Sequence, residues 1–418
     1  MITSRRTRLA LAAATAVLTL GQVATIPSAA ASEASPLAPD TTFYTPPPSA
    51  GSQHQIRHLI KAHRNHAAQL IRDMVGTPQA VWFTSGTPNV VKKKAREASQ
   101  AAKRAHAVPT LVIYNVPGRD CSQYSSGGAG SDVAYEAWVD GFAAGLQEGQ
   151  RSIVIVEPDG LANLPSDCPA AYPGQDVAAL TAGRIADIRY AGEAIKAANP
   201  AALVYLDAGH SAWHSVGDIA QRLDQAGVRD FQGFSVNVSN YQPTPQLEQY
   251  GSWIAKCIYY ANNDAEGGWR LGHYDYCASQ YYPATVTDYS TWHLTDEWYA
   301  ANVDSAANPP TSSGQLAHFV VDTSRNGQGP WTTTTAYPDK QDWCNPPGRG
   351  LGLRPTADTG ADLVDALLWI KTPGQSDGQC NRGISGSTTD PEWGGIVDPP
   401  AGSWFARQAL QLAQLAVP

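Results

Sequence analysis

Along the chain, runs of consecutive apolar residues alternate with stretches whose apolar positions recur at helical spacing. The runs lie at 80–83, 109–115, 152–157, 202–207, 233–238, 318–322 and 366–371. Helical patterns occupy 53–74, 90–107, 133–147, 178–198, 219–226 and 404–415. Strands apolar on both faces, each followed by a helix, predict a parallel sheet covered on both sides. Six or seven such units predict an α/β barrel rather than an open sheet. Polar residues follow the runs: Arg119-Asp120, Pro158-Asp159, Asp207, Asn240, Asp322 and Asp377. In α/β barrels that end of the strands carries the chemistry.

Two segments break the rhythm. Residues 245–315 hold many Tyr and Trp with little alternation, and are expected to be a loop insertion. Residues 380–403, rich in Gly, Ser and Pro, are expected to be a second long loop at the active site. Long loops in compact domains often form binding walls. At the start, residues 1–31 combine Arg5, Arg6 and Arg8, a short apolar run and Ala29-Ala30-Ala31, the order of a secretory signal peptide. Ser4-Arg5-Arg6 resembles a twin-arginine start, which a general secretory signal does not need. Residues 32–50 read as a Pro/Ser/Ala-rich tail, and residues 51–418 as one catalytic domain.

An exported chain keeps disulfides. All six cysteines, Cys121, Cys168, Cys257, Cys277, Cys344 and Cys380, follow the leader. Their pairing stays open on spacing alone, sequential pairing being simplest because each pair then closes a local loop. No two cysteines lie two to four residues apart, so no metal site is expected. A net charge of −8 with scattered Lys and Arg argues against nucleic acid as a partner. No further stretch is of membrane length, so no membrane contact is expected once the leader is removed; the mature chain is expected to be an extracellular monomer. No Gly-x-Gly-x-x-Gly or Walker loop follows a strand, so no cofactor is expected. The 12 Trp and 18 Tyr against 7 Phe suit sugar rings, which stack on flat aromatics while their hydroxyls seek hydrogen bonds.

Four aspartates at strand ends, Asp120, Asp159, Asp207 and Asp377, fit glycosidic bond hydrolysis, which needs one protonated and one ionised carboxyl group. Asp159 follows the most apolar strand, where burial raises a carboxyl pKa, and is the expected proton donor. An isolated strand-end Asp more often caps the next helix; convergence of four outweighs that reading. Gly374-Gln375-Ser376-Asp377-Gly378 matches the serine-hydrolase pattern Gly-x-Ser-x-Gly, but no histidine follows it. His210 and His214 have the spacing of a zinc pair without the motif's Glu.

These residues resemble glycoside hydrolase family 6, the cellulases. The resemblance runs through Val112-Ile113-Tyr114-Asn115-Val116-Pro117-Gly118-Arg119-Asp120-Cys121 and Ile153-Val154-Ile155-Val156-Glu157-Pro158-Asp159-Gly160-Leu161. It continues through Leu206-Asp207-Ala208-Gly209-His210-Ser211-Ala212-Trp213, Asn237-Val238-Ser239-Asn240-Tyr241, Asp322-Thr323-Ser324-Arg325-Asn326-Gly327, Trp343-Cys344-Asn345-Pro346 and Trp369-Ile370-Lys371-Thr372-Pro373-Gly374-Gln375-Ser376-Asp377-Gly378. It implies a distorted TIM-like barrel of about seven parallel strands, with long loops over the cleft, and an inverting β-1,4-glucanase acting on cellulose. By the same resemblance Asp159 is the general acid, Asp120 tunes it and organises water, Asp377 is the usual candidate base, and Asp207 is an electrostatic carboxylate. Tyr114 and Ser126 flank the reacting sugar; Trp82, His210, Trp213, Asn240, Trp343, Lys371 and Gln375 match sugar-binding positions. The family's disulfides match Cys121–Cys168 and Cys344–Cys380, which leaves Cys257 and Cys277 to each other. Gln375 departs from the family's usual Glu, so an altered pH dependence of activity is expected. The short interval between Asp120 and Asp159 favours internal cutting, whereas the two long segments would favour release of cellobiose from chain ends; endo cutting is the expectation. A glucan-binding protein with weakened catalysis is the alternative of another class.

Overall fold

A computed structural model describes residues 35–264 and 267–417; the leader expected at 1–31 lies outside the described residues. Seven strands form one parallel sheet in chain order: β1 (Val81–Phe83), β2 (Thr110–Ile113), β3 (Ser152–Val156), β4 (Ala202–Asp207), β5 (Gly233–Val236), β6 (His318–Asp322) and β7 (Val364–Leu368). The sheet curls into a half-barrel. β1 and β7 do not pair, yet the Ala80 N–H donates to the Trp369 carbonyl at 3.0 Å, and the Trp82 indole donates to that of Ile370 at 2.8 Å.

The strand sequences explain this shape. β3 reads Ser-Ile-Val-Ile-Val and is buried throughout. Alternation turns Val154 and Val156 outward toward the helices, and Ile153 and Ile155 into the barrel with Val112, Leu203, Tyr205 and Val320. The helices are α1 (Ala50–Lys61), α2 (Asn65–Val75), α3 (Pro88–Arg104), α4 (Asp132–Ala143), α5 (Val177–Ala198), α6 (Val216–Gln225), α7 (Thr244–Asn262), α8 (His293–Tyr299) and α9 (Ala406–Gln414). Side chains cap several of them: Thr87 receives Val90 N–H ahead of α3, Asp176 receives Ala178 and Ala179 N–H ahead of α5, and Ser215 receives Asp218 N–H ahead of α6.

Several elements differ from expectation. The helix expected over 53–74 is two helices, because His63 takes a φ of 56° and turns the chain. Residues 245–262 are no insertion. They form most of α7, whose buried Leu247, Tyr250, Ile254, Cys257 and Ile258 recur at helical spacing. The excursion proper is the segment 263–317. Residues 323–363, between β6 and β7, hold no helix. Cover there comes from α1, α2 and α9, which pack Leu59, Ile71, Met74 and Leu412 with Leu351 and Trp369. The described part of the expected tail enters the fold: Phe43 bridges Val108, and Leu37 and Phe43 join the barrel interior. Disulfides join Cys121–Cys168, Cys257–Cys277 and Cys344–Cys380. No helix among the described residues is long and apolar enough to cross a membrane.

One polar network sits inside the barrel. Buried Asp365 accepts a hydrogen bond from Tyr205 Oη at 2.7 Å and contacts His318 Nδ1 at 2.8 Å. Asp365→Ala would strand both partners and is expected to destabilise the fold by about 3–5 kcal/mol, read from urea unfolding. Tyr205→Phe, which leaves the His318–Asp365 pair, should lose only about 1–3 kcal/mol.

Candidate active site

A cavity of about 300 Å³ opens at the C-terminal ends of the strands. Ten of the expected residues line it: Trp82, Tyr114, Asp120, Asp159, His210, Trp213, Asn240, Trp343, Lys371 and Asp377. Three do not. Asp207 is buried beneath it. Ser126 is exposed, and its neighbour Ser125 lines the wall. Gln375 lines an adjoining cavity with Trp404 and Pro46-Pro47-Pro48, separated from the first by Trp82.

Backbone bends carry the carboxyl groups to this place. Glu157 and Asp159 have φ of 49° and 64°, and Asp120 has 59°. Such left-handed positions are strained for residues with a Cβ and persist only where surrounding contacts hold them. Those contacts are specific. Glu157 receives the N–H groups of Asn115 and Val116 at 2.9 Å and 3.1 Å and the Tyr135 hydroxyl at 2.9 Å, locking the end of β3 to that of β2. Asp207 Oδ1 receives Asp159 N–H at 2.9 Å, and Asp207 Oδ2 receives the Ser235 hydroxyl at 3.0 Å. Asp120 receives Ser125 N–H at 2.6 Å. Arg119 donates to the carbonyls of Thr84, Tyr114 and Ser125 and lies 4.6 Å from the Tyr114 ring centre, holding that ring at the wall. Among the described residues, no group hydrogen-bonds the Asp159 carboxyl itself, which leaves its proton free for a guest.

Asp377 is held in the opposite way. Arg325 Nη1 reaches its Oδ2 at 2.8 Å, and Lys371 Nζ its Oδ1 at 3.0 Å. Tyr241 Oη and Asn345 N–H also donate to Oδ2, at 3.3 Å and 3.0 Å. Asn345 binds both ways: its Oδ1 receives Asp377 N–H at 2.8 Å, while its amide donates to Gly378 O and Asp398. Gly378 has a φ of 146°, and a Cβ there would meet that of Tyr124 at 2.4 Å, so the residue after Asp377 needs to be glycine.

The electrostatics follow. Burial, then the charges of Asp207 and Asp120, push Asp159 well above the ordinary carboxylate range. Burial raises Asp120 to about 6, and Glu157 and Asp207 to about 7. Burial also acts to raise Asp377, but Arg325 and Lys371 overcome it and hold that carboxyl at about 2. One cavity therefore offers a protonated and an ionised carboxyl group at the same pH.

The two decoys resolve on contacts. Ser376 is buried and its hydroxyl binds Pro399 O and Gly378 O, so it is no nucleophile. Both ring nitrogens of His214 are engaged, at 2.6 Å each, by Asp218 and the Ala162 carbonyl. Sequence reasoning missed Arg325, Asn345 and Glu157 as site-forming residues, and it placed Arg119 at a strand end without a role. Arg325 lies in the run quoted above, three residues beyond the end of β6, and an arginine so close to a barrel strand end was the available signal.

The raised carboxyls make stability pH-dependent. In the unfolded chain they ionise near pH ~4. The folded chain keeps protons on Asp120, Glu157 and Asp207 up to about pH 6 to 7, so stability falls as pH rises through that window. Asp377 acts oppositely: its contribution is present above pH ~4 and is lost as pH falls toward about 2. His210, lowered to about 4 by burial and then by His214, also favours higher pH. The thermal midpoint is therefore expected to peak at mildly acidic pH and to decline toward neutrality, as scanning calorimetry across pH would read.

The family described as glycosyl hydrolases family 6 matches residues 38–416. The chain is similar to Endoglucanase 1 of Streptomyces sp. (strain KSM-9), with 33% identity over 84% of this chain and 73% of that protein. It is similar to Endoglucanase A of Cellulomonas fimi, with 31% identity over 90% of this chain, and it spans 62% of that protein's length. Among solved structures, the endoglucanase Cel6 from Mycobacterium tuberculosis, in complex with methyl-cellobiosyl-4-deoxy-4-thio-beta-D-cellobioside, superposes with a TM-score of 0.65 at 33% identity, covering 91% of this chain and 99% of that one. A match across nearly the whole described chain, on a sheet whose carboxylates converge at the strand ends, has one conclusion: the chain belongs to glycosyl hydrolases family 6.

Proposed function

We propose that the protein is a secreted, inverting β-1,4-glucanase that cuts internal bonds of cellulose. The observation that carries this reading is the split of two carboxyls in one cavity: Asp159 held protonated, Asp377 held ionised. Asp159 donates its proton to the leaving glycosidic oxygen. Asp120, at about 6, shares the cavity and its charge keeps the Asp159 proton in place. Trp82, Trp213 and Trp343 offer ring faces for sugars, and His210 and Asn240 offer polar contacts. Asp377, at about 2, is a feeble base. The proton of the attacking water passes to Asp377, directly or through a second water. The names of the relatives and the neighbouring structure support β-1,4-glucan as substrate and internal cutting. The three disulfides and the basic-then-apolar leader support export.

Among the described residues that line the cavity, none comes from 263–317 or 380–403, which supports an open cleft. One observation favours end-wise release of cellobiose instead. The Tyr124 hydroxyl donates to Asn381 at 3.0 Å and receives Gln341 Nε2 at 3.1 Å, so the loop after β2 is clasped to the loops after β6 and β7. Viscometry separates the two. Internal cutting predicts a fast fall in the viscosity of soluble cellulose ethers at low reducing-sugar release; slow thinning with cellobiose as the product overturns it.

Asp159→Ala is expected to lower kcat on cellulose by about 10²–10⁴-fold, while aryl glycosides whose leaving group needs no proton lose far less. Reducing-sugar and aryl-release assays check both arms. Near-normal cellulose turnover by the variant removes Asp159 from the acid role, and no turnover by wild type with binding retained favours the glucan-binding alternative.

A further inference from the structure

The excursion 263–317 carries features that the cleft does not use. Trp269, Tyr276 and Tyr282 are 66%, 46% and 80% exposed, unusual values for large aromatics clustered on one segment. They are contiguous. The rings of Trp269 and Tyr276 lie 5.9 Å apart, and Tyr276 and Tyr282 line one groove of about 680 Å³ together with Trp298. The groove also presents Ser215, Gln221 and Asp275.

Trp269 and Tyr276 are held in place before any ligand arrives, Trp269 also meeting Tyr260 edge-on at 6.3 Å. His273 stacks on Tyr276 with centres 4.4 Å apart and planes 5° from parallel. Neighbouring Tyr274 donates to Asp224 at 2.5 Å, and Cys277 is bonded to Cys257 of α7. Fixed aromatic faces lose little conformational freedom on binding. Their polar edges are unclaimed: among the described residues, the Trp269 indole N–H and the Tyr276 and Tyr282 hydroxyls make no hydrogen bond to protein. The charge is selective as well. Among the described residues, Asp218 and Asp275 line the groove and no Lys or Arg does, which disfavours nucleic acid, anionic lipid and acidic glycans. A ligand with flat apolar faces, many hydroxyls and no charge satisfies all of these features.

The surface is also tied to the cleft. Within the same excursion, Gln280 donates to the carbonyls of Ser211 and His214, and Tyr281 Oη donates to that of Trp213. Those carbonyls belong to the loop that carries His210 and Trp213 into the catalytic cavity.

We infer that Trp269, Tyr276 and Tyr282, with the adjoining groove, form a second glucan-binding surface outside the cleft, which holds the enzyme on a neutral β-glucan chain. The inference rests on the glucanase reading for its ligand. It is tested with the full chain and the triple variant Trp269→Ala/Tyr276→Ala/Tyr282→Ala, by depletion from microcrystalline cellulose and by turnover of soluble cellopentaose. The variant is expected to partition onto cellulose about tenfold more weakly with kcat/KM on cellopentaose unchanged. An unchanged cellulose isotherm overturns the surface. So does an equal loss on cellopentaose, which would make these residues part of the cleft or its support. So does a wild-type dimer that the substitutions dissociate, seen by sedimentation, which would make the patch a contact between copies. Tyr282→Ala alone, at the most exposed position, should show a smaller loss of the same kind and guards against misfolding of the triple variant; no loss in a folded single or triple variant rejects the proposal. Wild type inactive on cellopentaose would sink the glucanase reading, while the difference in cellulose binding would still decide the surface.

Discussion

Asp120, Asp159, Asp207 and Asp377 are gathered around one cavity, and four negative charges cannot coexist there in a medium poor in water. The fold resolves this by placing its buried cations on one side. Arg325 and Lys371 both face Asp377, so that carboxyl ionises and the burden of neutrality falls on Asp159. The difference between acid and anion is thus set by where two side chains end, not by any difference in the aspartates themselves. Much of the surrounding architecture serves to keep those ends in place. The Arg325 guanidinium lies 4.6 Å from the Tyr241 ring centre and donates to Ser239 O, which ties β5, β6 and β7 together at the rim.

The same rim explains why strained backbone is tolerated. Asp322, at the end of β6, accepts N–H groups from Ser239, Ser324, Ile370 and Lys371. Asp207 does likewise for Asp159 and Gly209. A carboxylate that collects backbone donors from several loops replaces the ladder hydrogen bonds that a strand would have made. Loops can then bend through left-handed residues without leaving buried donors unpaired. The cavity is shaped by that substitution, and the alternating apolar strands beneath it supply the rigid base.

Strand positions were legible in the sequence because buried parallel strands are runs of apolar residues bounded by polar ones; β4 and β6 coincide with the expected runs. The aspartates were legible because strand ends are where a barrel puts chemistry. α7 was not, because Trp and Tyr on its buried face resemble loop aromatics when only composition is weighed. The break at His63 was invisible for a different reason: it is a single backbone dihedral that no side-chain pattern announces. Arg325, Asn345 and Glu157 escaped notice because their roles come from long-range partners, such as Asp377, 52 residues from Arg325 along the chain. Only the curl of the sheet brings them together.

Gln375 shows how far such partnerships constrain the chemistry. The family resemblance places a carboxylate there, and this chain has a neutral amide. Arg325 and Lys371 both face the ionised Asp377, with Asp322 close to the two of them. Burial already weighs against the lysine charge, and only the neighbouring carboxylates, Asp377 foremost, sustain it. The lysine in turn acts to lower both Asp120 and Asp159 across the cavity. Gln375 brings no charge of its own, so Asp377 is the first carboxylate that sustains the lysine, and the lysine links the ionised side of the cavity to the protonated side. The Gln375 side chain makes no hydrogen bond to Lys371 or Asp377 and lines the adjoining cavity beyond Trp82.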